Sequence, residues 1–270
     1  METQPVRMHR TETFRMKSEI VGDEFQIFVQ LPFSYNQTEQ TYPTLYATDG
    51  DDSFTLMSSL LHMALLEGAL PEMILVAIGY GTDLLDPANR RNFDLPTTKS
   101  AWPQMPGMEG EPPTAGGGGE NFLRFIREEL IPHIEKTYRA DPSNRAYSGV
   151  SFGGIFGAYA LFTHPETFSK YIISSPALWW DNRVTFTYEE QYAKAHTDLP
   201  ACVYLSIGTE EAPPEFDQFF HAVDNVIEFE KRLTERKYPS LKLKFNHEEG
   251  GHTTSQPGAL MKGLKYVFQG

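Results

Sequence analysis

Ser151 stands in the run RAYSGVSFGGIFGAYALF, residues Arg145 to Phe162, with Gly149 two places before it and Gly153 two places after. A strand-like stretch gives way to a helix-like one at this point. A serine on so sharp a turn is held in a strained backbone conformation that lifts its hydroxyl clear of the sheet. Side chains two residues to either side would collide there, which accounts for Gly149 and Gly153. Gly154, Gly157 and Ala158 let the following helix lie close to its neighbours. Its first N–H groups, that of Phe152 among them, point at whatever the serine attacks and would serve as oxyanion donors. The pattern G-x-S-x-G alone arises often by chance. Its place at a strand-turn-helix junction makes Ser151 a nucleophile candidate.

A serine hydroxyl attacks poorly until a base takes its proton. On an α/β scaffold the partners follow in the order serine, acid, histidine. Of the eight histidines, His9, His62, His133, His164, His196 and His221 precede the serine or fall in helices and at their ends, and His247 lies within a strand. His252 sits in EEGGHTTSQPG, a glycine-flanked loop directly after the last strand, and is the candidate base. The acid belongs after the strand CVYLSIG, where GTEEAPPEFD offers Glu210, Glu211 and Asp217, with Glu211 ahead of Glu210. Its task is to fix the imidazole tautomer and stabilise the imidazolium. A second oxyanion donor would be a backbone N–H after the third strand, in ATDGDDSF, from Gly50 or Asp51. The acidic DGDD lacks the rest of a calcium-loop pattern, so neither a metal nor another cofactor is expected.

Thirty-six acids against 23 bases give a net charge of −13, with no Lys/Arg cluster longer than Arg90-Arg91 or Lys231-Arg232. That balance argues against a nucleic-acid partner and against an anionic membrane surface. The one cysteine, Cys202, reads as a small buried hydrophobe. The N-terminus carries no signal-like apolar core, and no apolar run approaches a bilayer-spanning length. A cytoplasmic location is expected.

These side chains need elements to place them. TFRMKSEIV and EFQIFVQLP, joined by Gly22-Asp23, read as a strand hairpin. YPTLYATDG and MILVAIGYG read as strands around the helical stretch SFTLMSSLLHMALLEGAL. From about residue 81 to 120 the pattern dissolves into a Pro/Gly-rich loop with Pro87, Pro96, Pro103, Pro106, Pro112 and Pro113, expected over the mouth of a site. Phe122, Ile126, Leu130, Ile134 and Tyr138 then mark an amphipathic helix at fourfold spacing. After it come the strand RAYSGV, the helix GGIFGAYALFTHP, the strand KYIISS and a short irregular segment. CVYLSIG, AVDNVIEFEKRLTER, LKLKFNHEE and GALMKGLKYVFQ then give strand, helix, strand and helix. Eight strands alternating with helices predict one α/β domain over residues 1–270: a mostly parallel sheet, an antiparallel N-terminal hairpin, and helices on both faces. Ligands of such sheets sit beyond the carboxyl ends of the strands.

With these residues in place, the chain resembles the putative-esterase branch of the α/β-hydrolase superfamily, which includes siderophore esterases, feruloyl esterases and related carboxylesterases. The matching pieces are YATDGDD, RRNFDLP, the block from GGGENFLRF to SSPALWW, LSIGTEE and EEGGHTT, in the family's order. The resemblance implies an α/β-hydrolase fold and a serine hydrolase of small-molecule carboxylic esters, with Ser151 as nucleophile, His252 as base and Glu211 as acid. It also brings Arg91 and Trp180 towards the substrate pocket, one of Trp179 and Trp180 packing in the core while the other lines the site. Val150 stands where histidine is common in the family. A siderophore esterase, as the specific activity, and an acyltransferase on the same fold are the alternatives. A binding protein without catalysis would be expected to have lost one of the three residues.

Overall fold

The computed structural model describes residues 8–82, 90–105 and 109–269, with the backbone alone at 214–216. Pro87 and Pro106 of the Pro/Gly-rich stretch lie outside the described residues.

β1 (Thr11–Lys17) and β2 (Glu24–Gln30) pair antiparallel, Thr11 opposite Gln30 and Lys17 opposite Glu24. The connection runs over residues 18–23, wider than a two-residue turn, with Gly22 at φ 77° where a side chain would be strained. β3 (Tyr42–Ala47), α1 (Gly50–Leu66) and β4 (Ile74–Gly79) form the first parallel crossover. Every residue of β4 is buried, as an apolar strand covered on both faces should be.

The stretch expected to be structureless carries a short helix, α2 (Arg91–Asp94), and an antiparallel pair of two-residue strands, β5 (Ser100–Ala101) and β6 (Thr114–Ala115). Backbone bonds fold it back on itself: Gly116 N–H donates to Asn92 O at 2.7 Å and Gly118 N–H to Phe93 O at 2.9 Å. Such contacts follow no period, so nothing in the residue pattern announces them.

α3 (Gly119–Arg124) and α4 (Ile131–Thr137) form one rod through a π-wound turn at Phe125–Leu130. An α-helix drifts about 40° for each fourfold step, so side chains spaced by four wander off one face. The wider turn cancels the drift and leaves Phe122, Ile126, Leu130 and Ile134 all fully buried. Pro132, which offers no N–H, sits where the register changes.

The chain ends with β7 (Ala140–Val150), α5 (Phe152–Thr163), β8 (Lys170–Ser174), α6 (Trp180–Ala195), β9 (Cys202–Gly208), α7 (Pro214–Phe220), α8 (Ala222–Arg236), β10 (Lys242–Glu248) and α9 (Gln256–Gln269). α6 replaces the irregular segment expected between β8 and β9. Its buried face mixes Phe186 and Tyr192 with Thr185 and Glu189, which hides the apolar period.

The main sheet has eight strands in the order β1-β2-β4-β3-β7-β8-β9-β10. β2 runs antiparallel to both neighbours, and every other adjacent pair from β4 to β10 is parallel. One face packs against α1 and α9 through Phe54, Leu61, Leu260 and Leu264. The other carries α3 to α6 and α8 through Phe125, Phe156, Phe186 and Phe229. No helix among the described residues is long and apolar enough to cross a membrane.

Candidate active site

Parallel strands bring their carboxyl ends to one rim. There β3, β7, β8, β9 and β10 release the turns that carry Asp49, Ser151, Ser175, Glu211 and His252.

Ser151 has φ 57° and ψ −116°, a conformation costly for any residue with a side chain. Surrounding bonds hold it: Ser151 N–H donates to Ser174 O at 3.2 Å, and Ile155 and Ala177 N–H both donate to Ser151 O at 3.1 Å. The Tyr147 hydroxyl donates to Gly153 O at 2.7 Å and pins the head of α5 to β7. A methyl group on Gly149 would lie 2.4 Å from Gly153 O, and one on Gly153 would lie 2.4 Å from Thr48 Oγ1. The small residues around the serine are thus demanded by backbone and side chains on both sides of the turn.

Of the three acids offered by the sequence, the structure brings Glu211 to His252: Nδ1 lies 2.7 Å from Oε2. The other carboxylate oxygen accepts from the Ser175 hydroxyl at 2.5 Å and from Gly208 N–H at 2.8 Å. The Glu211 side chain is 4% exposed and that of His252 47%. Burial pushes the carboxyl up, but the bonds from His252, Ser175 and Gly208 outweigh it and hold the group below the ordinary carboxylate range. Glu210, next in line, is exposed and borders the same cavity, while Asp217 lies in α7.

Asp49, in the left-handed conformation at φ 57°, caps α1 and binds Arg91 with two contacts, Nε to Oδ1 at 2.5 Å and Nη2 to Oδ2 at 3.1 Å. Asp51 turns away and accepts from the N–H groups of Tyr80 at 2.5 Å and Gly81 at 3.1 Å. Asp49 and Asp51 of DGDD are therefore engaged in fixing this rim of the sheet. Asp49 borders the cavity beside Ser151, whereas Gly50 and Asp51 are not among the lining residues.

Two cavities meet at the serine, and Ser151 and His252 line both. The first, of about 360 Å³, is walled by Trp102, Trp179 and Phe220 with Pro176, Glu210 and Glu211. The second, of about 330 Å³, lies on the α1–α9 side and takes in Asp49, Leu56, Met57, Arg91 and Leu260. The tryptophan expectation needs correcting. Trp179 lines the cavity, and Trp180 is 1% exposed beneath it, its indole N–H donating to Thr98 O at 3.1 Å. Immediately after the pair, Asp181, Asn182 and Arg183 all take positive φ and reverse the hand of the chain.

The model of the family described as "Putative esterase" matches residues 18–256. The chain belongs to that family. It is an esterase with the α/β-hydrolase fold. This esterase is 28% identical to the ferri-bacillibactin esterase BesA of Bacillus subtilis, over 96% of this chain and 89% of the relative. It is 30% identical to the siderophore enterobactin esterase of Emericella nidulans, over 73% and 70%. Among solved structures it is similar to an IroE-like serine hydrolase from Shewanella oneidensis, with a TM-score of 0.81 and 28% identity over 96% of this chain and 80% of that one.

Among the residues of the candidate site that escaped the sequence are Ser175 and Trp102. Ser175, at φ 43°, supports Glu211, yet in the sequence it is an ordinary serine after β8. Trp102 reaches the cavity from the Pro/Gly-rich stretch, where its isolation in an aperiodic segment was the one available signal.

Proposed function

We propose that this esterase hydrolyses carboxylic esters through a Ser151–His252–Glu211 triad and an acyl-enzyme. The observation that carries the reading is the 2.7 Å contact between Glu211 and the His252 Nδ1 atom, on the wall of the cavities that Ser151 also lines. With Nδ1 bonded to the carboxylate, Nε2 is left to take the serine proton. Ser151 Oγ attacks the ester carbonyl as its proton passes to His252. The negative oxygen of the tetrahedral intermediate rests on Phe152 N–H and on an N–H of the turn from Asp49 to Asp51. One such donor is typically worth about 3 kcal/mol of barrier. The C–O bond to the alcohol then breaks, and His252 returns its proton to the leaving oxygen. Water, deprotonated by His252, attacks the acyl-enzyme, the acid departs, and Ser151 regains its proton.

The relatives named for siderophore substrates support a siderophore ester as the natural substrate of this chain, and we propose that as the narrower reading. The direct test of the chemistry is Ser151→Ala. Turnover of 4-nitrophenyl acetate should fall to background and labelling by a fluorophosphonate should vanish, with the melting temperature retained. Undiminished turnover in that variant would overturn the assignment.

A further inference from the structure

The charge around Ser151 says which esters the site can hold. Among the described residues no lysine or arginine lines the cavity walled by Trp102, Trp179 and Phe220, whereas Glu210 and Glu211 do. On the other side Arg91 donates through Nε and Nη2 to Asp49 and through Nη1 to Asn92, in a cavity that also takes in Asp52. Arg90, the neighbouring cation, bonds to Asp23 and, at 3.1 Å, to Asp94. Arg183, in the adjoining hollow behind Trp179, is held by Glu228. Outside the described side chains, 83–89, 106–108 and 214–216 read DLLDPAN, PGM and PEF, and the one lysine or arginine is Arg7, far from Ser151 in sequence. The aromatic wall is continuous, with ring centroids 5.3 Å apart for Trp102 and Trp179 and 4.7 Å apart for Trp179 and Phe220.

An anionic ester entering this lobe would lose hydration and gain no cation in return, in the field of a chain of net charge −13. An uncharged aryl group loses little water and gains ring contacts. We propose that the site selects aryl-bearing esters that carry no negative charge and turns anionic ones away, with Glu210 at the cavity wall setting the preference. This rests on the serine-esterase reading above. Within the siderophore class it favours uncharged iron complexes or iron-free forms over polyanionic ferric catecholates.

The test compares 4-nitrophenyl phenylacetate with its para-carboxylate analogue at pH 7.5 and low ionic strength. The neutral ester should be preferred by about tenfold or more in kcat/KM, and the gap should narrow as salt is raised from about 10 mM to about 500 mM. Glu210→Lys should shift the ratio of the two kcat/KM values towards the anionic ester by about tenfold, with Glu210→Gln in between. Equal or better use of the anionic ester by the unaltered protein would overturn the proposal. So would an unchanged ratio in Glu210→Lys, or turnover of neither ester. Fluorophosphonate labelling that depends on Ser151 is scored alongside: if it persists while the ester preference fails, the charge argument falls and the triad stands.

Discussion

The Glu211 carboxylate lies 2.7 Å from the His252 imidazole while its other oxygen is held by Ser175 and by a backbone N–H of Gly208. One buried acid is thereby fixed from three directions and has a single orientation to offer the ring. Glu211→Gln keeps the shape and removes the charge that stabilises the imidazolium. We expect kcat to fall on the order of 10³-fold with KM little changed. Ser175→Ala, which removes one of the three donors, should lower kcat by about tenfold. Steady-state kinetics on a 4-nitrophenyl ester reads both, and an equal kcat in all three proteins would contradict the geometry.

Gly153→Ala should damage both stability and turnover, because its methyl group would fall 2.4 Å from Thr48 Oγ1. A cost of about 1–3 kcal/mol is expected from such crowding. Adding Thr48→Ala removes the obstructing atom, so the double variant should recover part of the loss. Urea unfolding of the single and double variants gives the coupling, and simple additivity would rule out the clash as the cause.

Arg91→Ala leaves the Asp49 carboxylate, 14% exposed, without the guanidinium that faces it. The expected penalty is about 3 kcal/mol, together with a loss of kcat as the turn between β3 and α1 relaxes. Removing both partners in Arg91→Ala/Asp49→Ala should cost less than the sum of the single changes. Thermal melts of the four proteins decide it.

Asp94 supplies a pH signature. Its side chain is 1% exposed, Arg90 donates to one carboxylate oxygen at 3.1 Å, and the other has no hydrogen-bond partner among the described residues. Burial pushes the carboxyl up to about 6, with Arg90 pulling the other way. Between about pH 4 and pH 6 the folded protein keeps a proton that the unfolded chain has released, so stability from this site falls as pH rises and is level above that window. Asp94→Asn lacks this slope. The variant's stability relative to the unaltered protein should therefore climb by on the order of 3 kcal/mol from about pH 4 to about pH 7. Urea midpoints across that range measure it, and a difference that stays flat or falls would refute the account.

The catalytic candidates were legible because each obeys a local or topological rule. Ser151 lies where a strand meets a helix between glycines, and Glu211 and His252 follow the next strands to the same rim. β4 announces itself as an unbroken apolar run and β9 as one interrupted by Ser206 alone. The remainder depended on contacts with no sequence period. α6 buries Glu189, which Arg236 meets at 2.6 Å, and so reads as polar. The choice among Glu210, Glu211 and Asp217 turned on which carboxylate Ser175 and Gly208 could hold, a fact of tertiary placement. The residue pattern carries the strand to Gly50 and begins the helix at Ser53, whereas β3 ends at Ala47 and α1 begins at Gly50; that Asp49 borders the cavity depends on its left-handed backbone, which no motif marks.

The reversal of hand at Asp181, Asn182 and Arg183 reaches beyond the two indoles it follows. Each of these residues occupies a region that costs an L-amino acid about 1–2 kcal/mol, so the twist persists because packing enforces it. Consecutive rings with opposite destinations behave like a phase. Inserting one residue between Pro176 and Trp179 should shift that phase and change which indole faces the cavity, read as a change in the intrinsic fluorescence of the two tryptophans. Which of the two indoles meets the cavity beside Ser151 is thus tied to chain length at this turn.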